Sequence, residues 1–102
     1  MKKIKVILVD DHAVVRAGYK ILLRNNENIN VVAETSTGED AIILSDKYQP
    51  DVVVMDISLP GMSGIDAISS IVKKNKNVKI LVFSMHEAVS YTHLTLPTTP
   101  YV

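Results

Sequence analysis

Three stretches of this chain place oxygen-bearing side chains directly after short apolar runs. Asp10 and Asp11 follow Ile4–Val9, Asp56 follows Val52-Val53-Val54-Met55, and Ser84 follows Ile80–Phe83. In a parallel sheet these strand ends share one edge, where open α/β folds bind their ligands. Three carboxylates and a hydroxyl would converge there, a set suited to a divalent cation and a phosphoryl group. Adjacent carboxylates repel each other and are costly without a cation. Ligation by one or two carboxylates, a backbone carbonyl and several waters is what Mg²⁺ prefers. Asp56 adds a third carboxylate and can act as nucleophile, because a carboxylate forms an acyl phosphate once a metal neutralises the incoming oxygens. Ser84 then offers a hydrogen bond to a phosphoryl oxygen.

Taken singly, each residue has an ordinary explanation. Asp11 can cap a helix beside a solvated Asp10, Asp56 can be a loop acid, and Ser84 a turn hydroxyl. His12, His86 and His93 lack ligand spacing and read as surface residues. Thr35-Ser36-Thr37-Gly38 faintly resembles the phosphate loop of flavodoxins, but it follows the second strand instead of the first and reads as a plain helix start. Specificity lies in the combination at successive strand ends.

The elements that must position these residues alternate strictly. Ile4–Val9 reads as a strand buried on both faces. Asp11 is expected to cap a helix from about His12 to Arg24, with Val15, Gly18, Ile21 and Leu22 at helical spacing. A second strand covers Ile29–Ala33. Ser36-Thr37-Gly38-Glu39 reads as a capping box for a helix carrying Ala41, Ile42 and Leu44 and ending near Tyr48. A third strand covers Asp51–Met55 after Pro50. The loop beyond it turns at Pro60-Gly61, and Gly64 is expected to take a backbone geometry closed to bulkier residues. Gly64 also leads a helix with Ile65, Ile68, Ile71 and Val72, closed by Lys73-Lys74-Asn75-Lys76. Val78–Phe83 is the fourth strand. Such alternation argues for right-handed βαβ crossovers, a parallel sheet and helices on both faces.

At 102 residues the chain is one domain, and with 47% apolar and 22% charged residues its composition is globular, not disordered. The formal net charge is zero, so no basic balance points to nucleic acid. Cysteine is absent, which excludes disulfides and thiolate metal sites. The apolar run after Met1-Lys2-Lys3 stops at Asp10-Asp11 without a cleavage site, and no segment approaches the length of a membrane span. A cytoplasmic domain with no membrane partner is expected.

Val9-Asp10-Asp11-His12, Val54 through Gly64, and Leu81-Val82-Phe83-Ser84-Met85-His86 together resemble the receiver domain of two-component response regulators. The subfamily with a C-terminal helix-turn-helix output domain is the most similar, over residues 3–88. The resemblance implies a doubly wound, flavodoxin-like sheet of order 2-1-3-4, followed in the family by a fifth strand. It implies that Asp56 accepts a phosphoryl group from a histidine kinase. Asp10, Asp11 and Asp56 would hold Mg²⁺ with the backbone carbonyl of Ser58, and Ser84 would sense the phosphoryl group. Family kinases dock on the first helix, which makes Arg16 and Tyr19 candidate contacts. A second copy is a further implied partner, nucleic acid is not a direct one, and the intact parent is expected to regulate transcription, not to be an enzyme.

The chain departs from the family after Ala88. Receivers carry a Lys-Pro pair at the end of a fifth strand, and here no lysine follows Lys79. Val89 through Thr98 resembles one reading frame of a transposase sequencing adapter, so residues 89–102 are read as a non-native tail and the receiver as incomplete. An unprotected fourth strand and uncovered apolar surface would then leave the fold marginal. The other readings are an aspartyl-phosphate phosphohydrolase and a phosphate-independent interaction module. Phosphohydrolases want a second Asp two residues after the nucleophile, where Ser58 stands.

Overall fold

The computed structural model describes residues 3–56, 59 and 61–83. In chain order its elements are β1 (Ile4–Val9), α1 (Ala13–Arg24), β2 (Ile29–Thr35), α2 (Gly38–Tyr48), β3 (Val52–Asp56), α3 (Gly64–Lys74) and β4 (Lys79–Phe83).

 The order along the sheet is β2-β1-β3-β4, all parallel, as the alternation of elements requires.

β1 and β3 lie in the middle of the sheet, and their side chains alternate between two cores. Ile7, Val9, Val53 and Met55 point to one face, where Ala41 of α2 and Ala67 and Ile71 of α3 cover them. Val6, Leu8 and Val54 point to the other face, where Tyr19 and Leu23 of α1 pack with Ile29, Val31 and Phe83. Two-sided burial explains why these strands are continuous apolar runs instead of alternating ones. Gly38 lets α2 approach α3 closely: a Cβ there would lie 3.2 Å from Ala67 Cβ.

Several local expectations shift. β2 runs two residues beyond Ala33, to Thr35, and β3 ends on Asp56 itself. The N-cap of α2 is Thr37, whose hydroxyl accepts the Asp40 N–H at 3.1 Å, so the cap sits one residue after the Ser36 of the expected box. Among the described residues of this loop, positive φ falls on Gly61 (φ +76°), whereas Gly64 is simply the first residue of α3. Along α1, Tyr19 and Leu23, not the spaced Ile21 and Leu22, pack on the core. Ile21 and Leu22 are 57% and 69% exposed, because Tyr19 and Leu23, one turn apart, supply the face that meets the sheet. On β4, Leu81 and Val82 are exposed. No described helix is long and apolar enough to cross a membrane.

Candidate functional site

The strand register decides which acids meet. β1 pairs with β3 from Val6↔Val52 to Val9↔Met55, and one further step along both strands sets Asp10 level with Asp56. Both are almost completely buried, at 1% and 0% exposure. Asp11 follows at the exposed rim. Asp10, Asp11, His12 and Asp56 each offer a ligand atom, and these atoms all lie within 4.8 Å of one another. The expected convergence of Asp10, Asp11 and Asp56 is therefore present. Ser58 and Ser84 lie outside the described residues, as does the expected tail, 89–102.

The two adjacent aspartates have different surroundings. The Asp10 N–H donates to Thr35 O at 3.0 Å. Its Oδ1 accepts the His12 backbone N–H at 2.8 Å and faces His12 Nδ1 at 2.9 Å. Its Oδ2 is buried with no hydrogen-bond partner among the described residues. An ionised oxygen in that position is costly unless a cation or a donor reaches it. Asp11 lies 3.1 Å from His12 Nδ1 through its Oδ1. It does not cap α1: the N-cap is His12, with no side-chain cap bond, because the local turn is closed by Asp10 Oδ1.

His12 is partly exposed, as expected of a surface residue, and the structure also places it at the rim of the acid cluster. Its position directly after the Asp pair was the signal for this, since a side chain two residues beyond Asp10 can fold back onto that carboxylate. The hydrogen bond to Asp10 raises the His12 pKa above the ordinary imidazole range; desolvation opposes this, and the charges of Asp11, Asp10 and Asp56 add to it.

The donor set fits a hard divalent cation. Two oxygens on one Mg²⁺, each about 2.1 Å from the ion, stand at most about 4.2 Å apart. The cluster is within a small side-chain adjustment of that spacing, and water can complete the shell. A bound cation is one partner that would satisfy a buried oxygen such as Asp10 Oδ2. A carboxylate beside the ion is then electrostatically equipped to receive an anionic phosphoryl group.

Arg16 and Tyr19, the candidate kinase contacts on α1, are both half-buried. Arg16 Nε donates to Glu34 Oε1 at 2.9 Å, and its Nη1 donates to the Asp10 carbonyl. Tyr19 packs against Phe83, with ring centroids 5.5 Å apart. The outer surface of α1 is apolar instead: Val14, Ile21 and Leu22 are all exposed.

Comparison with known proteins adds to this geometry. The family model for the response regulator receiver domain matches residues 6–97. The chain is 38% identical over 96 residues to the transcriptional regulatory protein DegU of Brevibacillus brevis, covering 94% of this chain and 41% of that protein. It is 43% identical over 83 residues to the response regulator UvrY of Escherichia coli K12, covering 81% of this chain and 38% of that one. A LuxR-family two-component response regulator from Aurantimonas sp. SI85-9A1 superposes with a TM-score of 0.79 at 35% identity, covering 94% of this chain and 69% of that structure. The chain thus spans about two fifths of the length of these curated relatives.

Proposed function

Because this chain belongs to the response regulator receiver domain family, we propose that it is the phosphoacceptor module of a two-component phosphorelay. Asp56 is the acceptor: a carboxylate oxygen attacks the phosphorus of a histidine kinase's phosphohistidine, a P–O bond forms, and the P–N bond breaks. The freed imidazole takes its proton from solvent. Mg²⁺, when bound, neutralises the phosphoryl oxygens and lowers the repulsion between two anions. Asp10 and Asp11 would hold that ion with Asp56 and, as the family resemblance implies, the Ser58 carbonyl, and the Ser84 hydroxyl would sense the transferred group. In the intact parent this event controls transcription, in keeping with the names of the DegU and UvrY relatives. A second copy of the chain is a candidate partner in that response, and this segment itself makes no contact with nucleic acid.

The observation that carries the reading is the meeting of three carboxylates at the end of β1 and β3, with the buried Asp10 Oδ2 lacking a hydrogen-bond partner among the described residues. A phosphohydrolase reading has less support, since Ser58 stands where such enzymes want a general acid. The test is intact-mass spectrometry after incubation with phosphoramidate and Mg²⁺, beside Asp56→Asn and Asp11→Asn. One phosphoryl adduct, lost in Asp56→Asn and reduced in Asp11→Asn, is expected. An adduct that survives in Asp56→Asn would rule out Asp56 as the acceptor.

A further inference from the structure

The main chain of the acid cluster is held by a side-chain fork from outside the cluster. Arg16, on α1, sends Nη1–H to the Asp10 carbonyl and Nε–H to Glu34 Oε1 on β2. Lys20, one turn further along α1, donates to the other oxygen of Glu34. The pKa of Glu34 is lowered by the hydrogen bonds from Lys20 and Arg16, desolvation opposing, so this carboxylate is ionised at neutral pH. Every polar atom of Asp10 except one is then accounted for. Its N–H is bound to Thr35 O, its carbonyl to Arg16, and its Oδ1 to His12. The remaining atom is the buried Oδ2.

We propose that Arg16, braced by Glu34, is a positioning residue that fixes the Asp10–Asp11 peptide and thereby aims both carboxylates at the cation. This inference rests on the cation-site reading above. Arg16 acts through the main chain and not through the carboxylate, so its charge does not occupy the cation's place. Glu34 balances that charge, which limits repulsion between the guanidinium and an arriving ion. The planar fork is what allows one side chain to reach two acceptors on different elements; a lysine ammonium lacks that geometry. Groups that orient metal ligands from outside the coordination shell typically carry about 10- to 100-fold in metal affinity.

The test uses the full chain and Mn²⁺ as a spectroscopic stand-in for Mg²⁺, with free Mn²⁺ read by electron paramagnetic resonance. Affinity is measured for the parent, Asp11→Asn, Arg16→Met, Arg16→Lys, Glu34→Gln and the control Val32→Ala. Val32 is a partly buried residue packed against the core, so the control reports loss of stability alone. All values are corrected for the folded fraction, taken from circular dichroism under the same conditions. Arg16→Met and Arg16→Lys should both weaken binding by about tenfold, Glu34→Gln by less, and Val32→Ala should stay within about twofold of the parent. Full affinity in Arg16→Lys would mean that charge alone matters, and would overturn the positioning role. Parent-like affinity in Arg16→Met would overturn it too, as would an equal loss in Val32→Ala. In each of those cases a loss in Asp11→Asn would leave the cation site itself standing. A parent that binds no Mn²⁺ would overturn both readings together.

Discussion

The acid cluster should make this fold less stable without a cation than it would be with one carboxylate removed. Asp10, Asp11 and Asp56 bring ligand oxygens within 4.8 Å of one another, with Asp10 and Asp56 fully buried. At an effective dielectric constant of about 20, two unit charges at such a spacing repel by about 3.5 kcal/mol. His12 offsets part of this through its contacts with Asp10 and Asp11. A net relief of about 1–3 kcal/mol is therefore expected for Asp56→Asn in EDTA, where the amide keeps the shape of the side chain and removes its charge. For a domain of this size, each kcal/mol corresponds to a rise in Tm of about 4–8 °C. Mg²⁺ should reverse the ranking or close the gap, since a ligand at a hundred times its Kd adds about 2.7 kcal/mol to a protein that binds it. The assay is thermal denaturation followed by far-ultraviolet circular dichroism, with and without Mg²⁺, for parent and variant. If Asp56→Asn melts at or below the parent in EDTA, or gains as much from Mg²⁺ as the parent does, the electrostatic account fails.

Three further outcomes follow from the packing and charges. Glu34 has a lowered pKa in the fold, so its contribution is present above its unfolded pKa and is lost as pH falls through the folded one; acid melts of the parent should show this component and those of Glu34→Gln should lack it. Because Glu34 is partly solvent-exposed, the difference should be under about 1 kcal/mol. Ile71 is fully buried between α3 and the sheet, so Ile71→Ala should lower stability by about 2–5 kcal/mol in urea titrations, and a loss below 1 kcal/mol would contradict the packing described. Thr37→Ala removes the hydroxyl that accepts the Asp40 N–H and should cost about 1 kcal/mol, measurable as a shift in the urea midpoint at unchanged slope.

The meeting of Asp10, Asp11 and Asp56 is legible in the sequence. The apolar runs ending in Asp10-Asp11 and in Asp56 are strong strand signals, and parallel pairing alone brings such ends to one edge. What local reasoning misjudged lies where tertiary contacts choose between equivalent patterns. α1 carries apolar residues around much of its surface, and periodicity could not tell that Tyr19 and Leu23, not Ile21 and Leu22, meet the sheet. Asp11 looked like a helix cap because acidic residues favour that position. The burial of Asp10 and the return of the His12 side chain instead closed the turn through Asp10 Oδ1. Nothing nearby in sequence marks Glu34, eighteen residues away, as the partner of Arg16.

The sequence by itself determined the order and type of the elements, the parallel sheet and the identity of the acids at its edge. These follow from short-range pattern: apolar runs of strand length, helical spacing between them, and side chains that end each run. Tertiary structure decided the one-residue register that sets Asp10 level with Asp56, the recruitment of His12 to the rim, and the fork by which Arg16 grips the Asp10 carbonyl. Those features depend on contacts between residues far apart in the chain. Their geometry is set by packing the two cores on either side of the sheet, which no local stretch encodes.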